Sequence, residues 1–314
     1  MAALLFLLLL LSTLSSPCSS SASSDSLSMD SSLSVENTDD LLTSPGGVFS
    51  AGFFPVGDNA YVFSIWFSSE ALCGSNCTVV WMANRDQPVN GKGSKLSLLK
   101  SGNLVLTDAG PITAWSTNTV TRSSAKLYLH DNGNLALYDM EGEVLWQSFD
   151  FPTDTLLPEQ PLFKDMQLVS STSKTYYSSG FYKLYFDTDN VLRLLYDGPE
   201  ASSIYWPDPE FMSWEAGRST FNSTRVAFFN SLRNFSSSDG FTFTAADYGD
   251  RWQRRLKLDV DGNLRLYSRG DGGGGTWVVS WQAMTQTCRI HGVCGPSSLC
   301  NYDPGSEVRL SSFN

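Results

Sequence analysis

Leu127 to Ser148, LYLHDNGNLALYDMEGEVLWQS, sets an apolar and a polar series side by side. Leu127, Leu129, Leu135 and Leu137 occupy odd positions, while His130, Asn132, Asn134, Ala136 and Tyr138 occupy even ones. Side chains of a strand alternate between faces, so the odd set enters a core and the even set faces outward. Asp131-Asn132-Gly133 supplies one bend and Glu141-Gly142 the next. The stretch predicts a half-buried β-unit.

The unit recurs. Leu96 to Thr117, LSLLKSGNLVLTDAGPITAWST, repeats it, with Gly102-Asn103 answering Gly133-Asn134 and Trp115 answering Trp146 at the same distance after the Asn. A third version begins at Leu256, LKLDVDGNLRLYSRGDGGGGTWVVSW, with extra glycines ahead of Trp277. Weaker copies are FYKLYFDTDNVLRLLYDG from Phe181 and LLTSPGGVFSAGFFPVGDNAYVFSIWF from Leu41. Such self-similarity implies units that bury one another's apolar faces.

The chain of 314 residues is long enough for two cores. Aromatics at 13%, charged residues at 17%, and Gly, Ser and Asn between short alternations make an all-β composition. A net charge of −11 with no basic stripe excludes nucleic acid as a partner. Met1 to Leu14 reads as the apolar region of a signal peptide spanning 1–22, with Ser20-x-Ala22 as the cleavage pattern. The alternative, a membrane anchor, has too short a run, and no other stretch is apolar enough to cross a bilayer. The expected location is therefore secreted and extracellular, in the apoplast.

Export makes cysteines candidates for disulfides. Cys18 leaves with the signal, so Cys73, Cys77, Cys288, Cys294 and Cys300 remain, an odd number. One thiol stays free, pairs between chains or lacks its partner. Cys73 and Cys77 would close a very small ring. Asn76, Asn222 and Asn234 head glycosylation sequons. Asn84-Arg85-Asp86 reads either as a site or as a turn held by an Arg–Asp pair before Pro88. Trp146 to Pro158, WQSFDFPTDTLLP, reads as a fixed connector packed by Trp146 and Phe149.

ANRDQPV, the paired GNLVL and GNLALYD repeats, and WQSFDFPTDTLLP together resemble the bulb-type, mannose-binding lectin domain of plant S-domain receptor-like kinases. The match covers 25–168. The resemblance implies a β-prism of three four-stranded sheets around a pseudo-threefold axis filled by tryptophans. Tyr176 to Trp281 resembles the S-locus glycoprotein region of the same family, a second lectin-like prism expected over 169–284. Thr287 to Tyr302, TCRIHGVCGPSSLCNY, resembles the opening of an EGF-like module, expected over 285–314. Such a module needs six cysteines and only three occur here, so the expected form is truncated, with a Cys288–Cys300 bridge and Cys294 unpaired. The apple-like domain, membrane helix and kinase of the family have no counterpart in this sequence.

In the family each sugar site follows Gln-x-Asp-x-Asn-x-Val-x-Tyr. Residues two apart share a face, so four polar groups converge on neighbouring sugar hydroxyls while Val meets the pyranose C–H patch. Carried over, His130, Asn132, Asn134, Ala136 and Tyr138 keep the type at Asn134 and Tyr138. Asn132 lacks the charge-assisted acceptor of a carboxylate. Losing such bonds costs about 1–3 kcal/mol each, against the roughly 4 kcal/mol of a millimolar site. Leu99, Ser101, Asn103, Val105 and Thr107 keep Asn103 and Val105, and Thr43, Pro45, Gly47, Phe49 and Ala51 keep nothing. In the second unit Asp259, Asp261, Asn263, Arg265 and Tyr267 keep Asp261, Asn263 and Tyr267, with Arg265 removing the apolar floor. The competing reading is structural: the Asn residues hold turns and the Tyr packs on a neighbour.

No metal or cofactor is expected. A calcium loop would need Gly and Glu where Leu264 and Gly270 stand. Gly270 to Gly275 has no Lys-Ser or Lys-Thr after it and reads as a hairpin tip, not a phosphate cradle. The histidines are His130 and His291, no serine has a nucleophile elbow, and kinase motifs are absent, so the sequence gives no catalytic residue. A glycosidase would need a paired-carboxylate cleft that nothing here assembles. The expected function is non-catalytic recognition, in the class that includes pollen recognition and defence signalling. The expected partner is an extracellular protein, a peptide or another receptor ectodomain in a dimer, met by Trp206 to Trp214 (WPDPEFMSW), unless those tryptophans are core. The alternative partner is a mannose-type glycan.

Overall fold

The computed structural model describes residues 24–68, 77–121, 124–230, 234–247, 252–270, 275–295, 298–301 and 309–312. The expected signal segment, Cys73, Asn76 and the centre of the glycine loop lie outside them.

Three short strands open the chain: β1 (Ser26–Ser28), β2 (Ser31–Ser34) and β3 (Leu42–Thr43). Three antiparallel triplets follow: β4 (Phe49–Gly57), β5 (Ala60–Phe67) and β6 (Val79–Met82); β7 (Lys95–Leu98), β8 (Leu104–Thr107) and β9 (Thr113–Ser116); β10 (Ala125–Leu129), β11 (Leu135–Asp139) and β12 (Val144–Gln147). Each opening strand completes a different triplet, in reverse order, giving sheets β3-β4-β5-β6, β2-β7-β8-β9 and β1-β10-β11-β12. The opening segment thus laces the three sheets together before any of them is made. A ladder bond donated by β1, for example, closes a sheet whose other strands lie some hundred residues on.

The same plan is then executed again. β13 (Thr155–Leu156), β14 (Pro161–Phe163) and β15 (Gln167–Ser171) precede β16 (Ser179–Phe186), β17 (Leu192–Asp197) and β18 (Ser202–Trp206); β19 (Val226–Phe229), β20 (Asn234–Ser237) and β21 (Thr242–Thr244); and β22 (Trp252–Leu258), β23 (Leu264–Gly270) and β24 (Val278–Gln282). The sheets are β15-β16-β17-β18, β14-β19-β20-β21 and β13-β22-β23-β24. The molecule is an all-β tandem of β-prisms. Strands across 155–171 pair with the second set, so the sheet sets part ahead of the 168/169 seam expected from sequence. The lacing strands must come before the hairpins they close. Leu157 packs in the first core and Leu156 in the second.

The odd leucines behave as their period requires: Leu127, Leu129, Leu135 and Leu137 are all buried. On the axis, Trp81, Trp115 and Trp146 meet edge to face at 5.5–6.1 Å. Each faces one core residue across the sheet: Ile65, Leu106 and Leu137 respectively. The second prism places Trp206 opposite Leu194, Phe243 opposite Phe235 and Trp281 opposite Leu266. Trp281 and not Trp277 is therefore the axial tryptophan of the Leu256 repeat. Trp277 instead packs on Phe67 of the first prism at 5.1 Å and donates its indole N–H to Thr78 Oγ1 at 2.8 Å. Trp277 and Trp281 thus serve two cores, one each.

Asn84-Arg85-Asp86 is neither a catalytic cluster nor a turn closed on itself. Arg85, buried, donates to the carbonyls of Val169, Ser170, Tyr177 and Ser178 in the second prism at 2.7–3.2 Å. Asp86 accepts from the backbone N–H and hydroxyl of Ser179. Asn84 takes up local backbone groups, accepting from Phe63 and donating to Gln87. The motif clasps one prism to the other. After β24, Cys288 is bonded to Cys300 and Cys294 is a free, half-buried thiol, the pairing expected from the sequence. Cys77 is also disulfide-bonded. The strands β25 (Ser298–Asn301) and β26 (Arg309–Ser312) form a two-stranded sheet.

Candidate functional site

The turn between the second and third strand of a sheet builds each candidate face. In the β10–β11 turn, His130 N–H donates to Asn134 O, Gly133 N–H to His130 O, and Asn134 N–H to Asn132 Oδ1. The β22–β23 turn repeats this bond for bond with Asp259, Gly262, Asn263 and Asp261. Gly133 has φ +85 and a Cβ there would sit 2.4 Å from Leu157, which explains why the Gly-Asn pair marks the repeat. The β16–β17 turn is the same with Asn190, at φ +70, in the glycine's place.

The Asn of each pair faces inward. Asn134 donates to Gln147 Oε1 at 2.8 Å and accepts from Ser148 Oγ and Phe149 N–H. Asn263 holds Met284 through both its amide nitrogen and its oxygen. Asn103 accepts from Thr117 Oγ1. All three tie the start of a third strand to the chain leaving the fourth. The carboxamides of Asn134 and Asn263 are occupied by the protein, and so is the oxygen of Asn103.

Using the residue opposite the axial aromatic as a common register, Tyr138, Thr107, Trp66, Leu195 and Tyr267 fall at one position, each just past a register shift in the ladder. The first copy therefore lies on β4–β5, and its face is Val62, Ser64 and Trp66. The sequence alignment through Thr43, Pro45, Gly47, Phe49 and Ala51 falls one strand early, on β3–β4. The tight Gly-Asn signal that anchors the other copies is absent from the β4–β5 turn, which misled the alignment.

The β10–β11 face is aromatic. Tyr128 and Tyr138 lie edge to face at 6.0 Å, His130 Nε2 and Tyr138 Oη are 3.0 Å apart, and Lys126 Nζ sits 4.7 Å over the Tyr128 ring. These four are half-buried around a fully buried Ala136. Ala136 sits opposite Tyr128 on one side and Gln147 on the other, so it forms a floor instead of facing solvent. Asn132 is exposed. On the β7–β8 face Val105 is buried, and no aromatic flanks it.

The second prism differs. Arg265, at the position of Ala136, folds back on its own turn, with Nη1 2.7 Å from Asp259 Oδ2 and Nη2 2.6 Å from Asp261 Oδ2. Tyr267 Oη also donates to Asp259 at 2.7 Å. Burial opposes the Arg265 charge, but the two aspartates outweigh it and raise its pKa. Burial, with Asp259 beside it, raises that of the Tyr267 phenol. Reading the repeats alone passes over a twin: Arg193, the equivalent on β17, grips Asp187 at 3.1 Å and also pairs with Asp189. The shared spacing D-x-D-x-x-x-R in FDTDNVLR and LDVDGNLR is the signal that finds it. At the third face, Asn234 occupies the matching position and is exposed, holding Thr244 Oγ1 at 2.9 Å. Asn222 is exposed in a loop.

Two larger hollows adjoin these faces. One of about 550 Å³ lies between the prisms, lined by Thr78 and Val79 on one side and by Lys174, Tyr177, Arg255 and Tyr267 on the other. The other, about 750 Å³, lies under the 206–218 excursion. There Trp206 is buried, with the Arg218 guanidinium between it and Phe241 at 4.3 and 4.1 Å, while Arg218 pairs with buried Asp239 at 2.6 Å. Phe211, Met212 and Trp214 are exposed, Trp214 by 74%. The segment is thus core at one end and surface at the other. His291 Nδ1 lies 2.8 Å from Ser203 Oγ at the edge of this hollow. Among the described residues no His, Cys, Asp or Glu group is arranged to hold a metal, and no helix is long and apolar enough to cross a membrane.

The D-mannose binding lectin family model matches residues 78–179. A putative receptor protein kinase of Zea mays, ZmPK1, is 43% identical over 90% of this chain and 35% of its own length. A G-type lectin S-receptor-like serine/threonine-protein kinase of Arabidopsis thaliana is 32% identical over 88% of this chain and 34% of its own. The S-locus-specific glycoprotein BS29-1 of Brassica oleracea is 29% identical over 89% of this chain and 66% of its own. A monomeric mannose-binding lectin from Gastrodia elata superposes with a TM-score of 0.30 at 23% identity, over 40% of this chain and 96% of that one. The chain spans about a third of the length of the receptor kinases it matches. The chain thus carries a stretch matched by the D-mannose binding lectin model and aligns along about nine-tenths of its length with plant G-type lectin S-receptor-like kinases and an S-locus glycoprotein.

Proposed function

We propose that this chain is a secreted, extracellular, non-catalytic recognition module, and that its ligand is a protein or peptide segment held at the 206–218 hollow. One observation carries the reading: Phe211, Met212 and Trp214 are exposed together beside a large groove, on a segment anchored by the buried Trp206–Arg218–Phe241 stack. Exposed aromatics on a rigid support have the make-up of an interface hot spot. Glu210 and Glu215 line the same groove, while Asp208 there is paired with Arg289 at 2.9 Å, so the acidity that suits a ligand with basic and apolar side chains rests on the two glutamates. Neither Asn222 nor Asn234, the sequon asparagines among the described residues, lines this groove. The domain limits that follow from the lacing strands are 24–154 and 155–284, with the disulfide-bonded segment after them.

A second reading, binding of mannose-type glycans, is favoured by the β10–β11 face. Tyr128, His130 and Tyr138, half-buried over Ala136, offer aromatic surface to sugar C–H groups. The two readings separate by experiment. The first expects a displayed peptide library to be enriched in basic, aromatic sequences by the native chain and not by Trp214→Glu. A glycan array that lights up with mannose structures, dims with Tyr138→Ala and ignores Trp214→Glu, with no peptide enriched, would replace the first reading by the second.

A further inference from the structure

The second prism has three outward faces, and Arg193 and Arg265 fill two of them from within. On the third, the sheet β14-β19-β20-β21, Asn234 stands where those arginines stand. The ladder sets the outward side chains of this sheet in neighbouring rows. Phe228 stands between Pro161 and Ser236 in one row. Phe163 and Val226 pair in the row on one side of it, and Asn234 and Thr244 in the row on the other. None of these residues is charged. Phe163 and Phe228 are exposed while Pro161 and Val226 are half-buried, so the face carries a continuous apolar strip. A strip of this kind marks a surface that something covers.

Asn234 heads the sequon Asn234-Phe235-Ser236 and is exposed. Its Oδ1 accepts from Thr244 Oγ1 at 2.9 Å, and its backbone N–H donates to Asn230 Oδ1 at 2.9 Å. Its Nδ2, the atom to which an N-linked glycan is attached, has no partner among the described residues. The carboxamide is thus held by its oxygen and free at its nitrogen. Phe228 is the diagonal neighbour of Asn234 across the ladder, and such neighbours lie about 7–8 Å apart. A sugar on Nδ2 can therefore lay its C–H face on the Phe228 ring and take apolar surface out of water.

We propose that Asn234 carries an N-linked glycan whose first sugar packs on Phe228, closing the third face as Arg193 and Arg265 close the other two. This goes beyond recognition at the 206–218 hollow and does not depend on it. The bond forms between Nδ2 and the anomeric carbon of a lipid-pyrophosphate-linked oligosaccharide in the secretory pathway. The bond from that carbon to the pyrophosphate oxygen breaks, the lipid pyrophosphate leaves with the electron pair, and Nδ2 gives up one proton. Asn222 supplies the control, since its sequon lies in a loop and on no sheet.

The test uses the full chain secreted behind a host signal from cells that leave their glycans in high-mannose form, so its outcome does not depend on the chain's own leader. Glycopeptide mass spectrometry is expected to find Asn234 occupied. Ser236→Ala abolishes the sequon but keeps the Asn234–Thr244 bond. It is expected to lower the melting temperature by about 2–4 °C and to raise the fluorescence of an apolar dye. Trimming the native glycan to its first N-acetylglucosamine should leave both readouts unchanged, and so should Asn222→Gln. In a Phe228→Ser background, Ser236→Ala should add no further shift. The proposal fails if Asn234 is unmodified, if Ser236→Ala leaves both readouts at native values, or if trimming or Asn222→Gln is as damaging as Ser236→Ala. It fails equally if the Ser236→Ala shift persists in full without Phe228.

Discussion

The two prisms share lacing, turn geometry and axial packing, yet they treat the same surface position in opposite ways. Where the first prism has Ala136 and Val105, buried and apolar, the second has Arg265 and Arg193, each folded onto two aspartates of its own turn. An apolar floor leaves the polar groups around it facing outward. An arginine at that position supplies internally the hydrogen bonds that a sugar would supply from outside. The comparison teaches that a repeated backbone does not imply a repeated site: one side chain in five decides whether a face is open or filled.

The junction between the prisms allows the hardest test of this picture, because it determines whether they can be compared as parts of one body. Replacing Arg85 by Ala takes the guanidinium away from four carbonyls of β15 and the loop after it, of which Ser178 alone is also shown accepting from Thr172. Removing one side of a buried, charge-assisted network costs about 3–5 kcal/mol. Chemical denaturation is expected to show a single transition for the native chain and two for Arg85→Ala, with the second prism going first. One unchanged transition would mean that the remaining contacts, Asp86 with Ser179 and Trp277 with Phe67 and Thr78, suffice to hold the prisms together.

Acid should act on the same junction. Burial pushes the Asp154 pKa up, but Lys257 and Arg85 more than offset this and hold it below the ordinary carboxylate value. A depressed folded pKa contributes stability that is present above the unfolded value, about 3.9, and is lost as pH falls through the folded one. Stability from this group is therefore intact at pH 5 and declines only below about pH 4. Asp154→Asn is expected to flatten that decline while lowering stability at neutral pH, as followed by urea midpoints across the pH range.

Much of this was legible in sequence, and the failures have a common cause. The period-two leucines and the Gly-Asn turns announced the strands, because each is enforced locally by alternation and by a backbone that needs positive φ. The axial tryptophans were legible where the hairpin kept its length, at Trp115 and Trp146, and misplaced at Trp277, where inserted glycines broke the count. The lacing strands β1–β3 and β13–β15 are two to five residues long and carry no pattern of their own, so the seam between the prisms was set too late. Arg85 was read within its own turn because its partners lie more than eighty residues away. Long-range polar contacts leave no local period to find.

The axis offers a milder comparison. The first prism holds three tryptophans there, and the second holds Phe243 in one of the three places, stacked on Trp281 at 3.7 Å. Trp146→Phe would give the first axis the composition of the second. The loss of part of an indole's buried surface predicts about 1–2 kcal/mol of destabilisation by denaturant midpoint. A loss of the size expected for Trp→Ala, about 3–5 kcal/mol, would show that the trio acts as a unit and that Phe is tolerated in the second prism only because Phe241 packs beside it.

The smallest effect on stability, and the sharpest on the comparison, belongs to the clamps. Arg193 and Arg265 are partly solvated, so screening reduces what each ion pair contributes to less than about 1 kcal/mol. Arg193→Val and Arg265→Val should therefore fold with nearly native midpoints. They differ in what they uncover. At β17 the valine lies beside Val191 where the other faces have Asn, so the opened surface lacks the Asn that organises the turn's exit. At β23 it lies between Asn263 and Tyr267, with Asp259 and Asp261 released from their guanidinium. Both variants release two adjacent carboxylates that repel each other, but at β23 Tyr267 still donates to Asp259, so Arg193→Val should lose at least as much stability at low salt as Arg265→Val. Adding Asp261→Asn to Arg265→Val removes one of the two charges and should recover part of that variant's loss. If the double variant is less stable than the single one, the aspartates hold the turn by themselves, and the arginine's role is to fill the face.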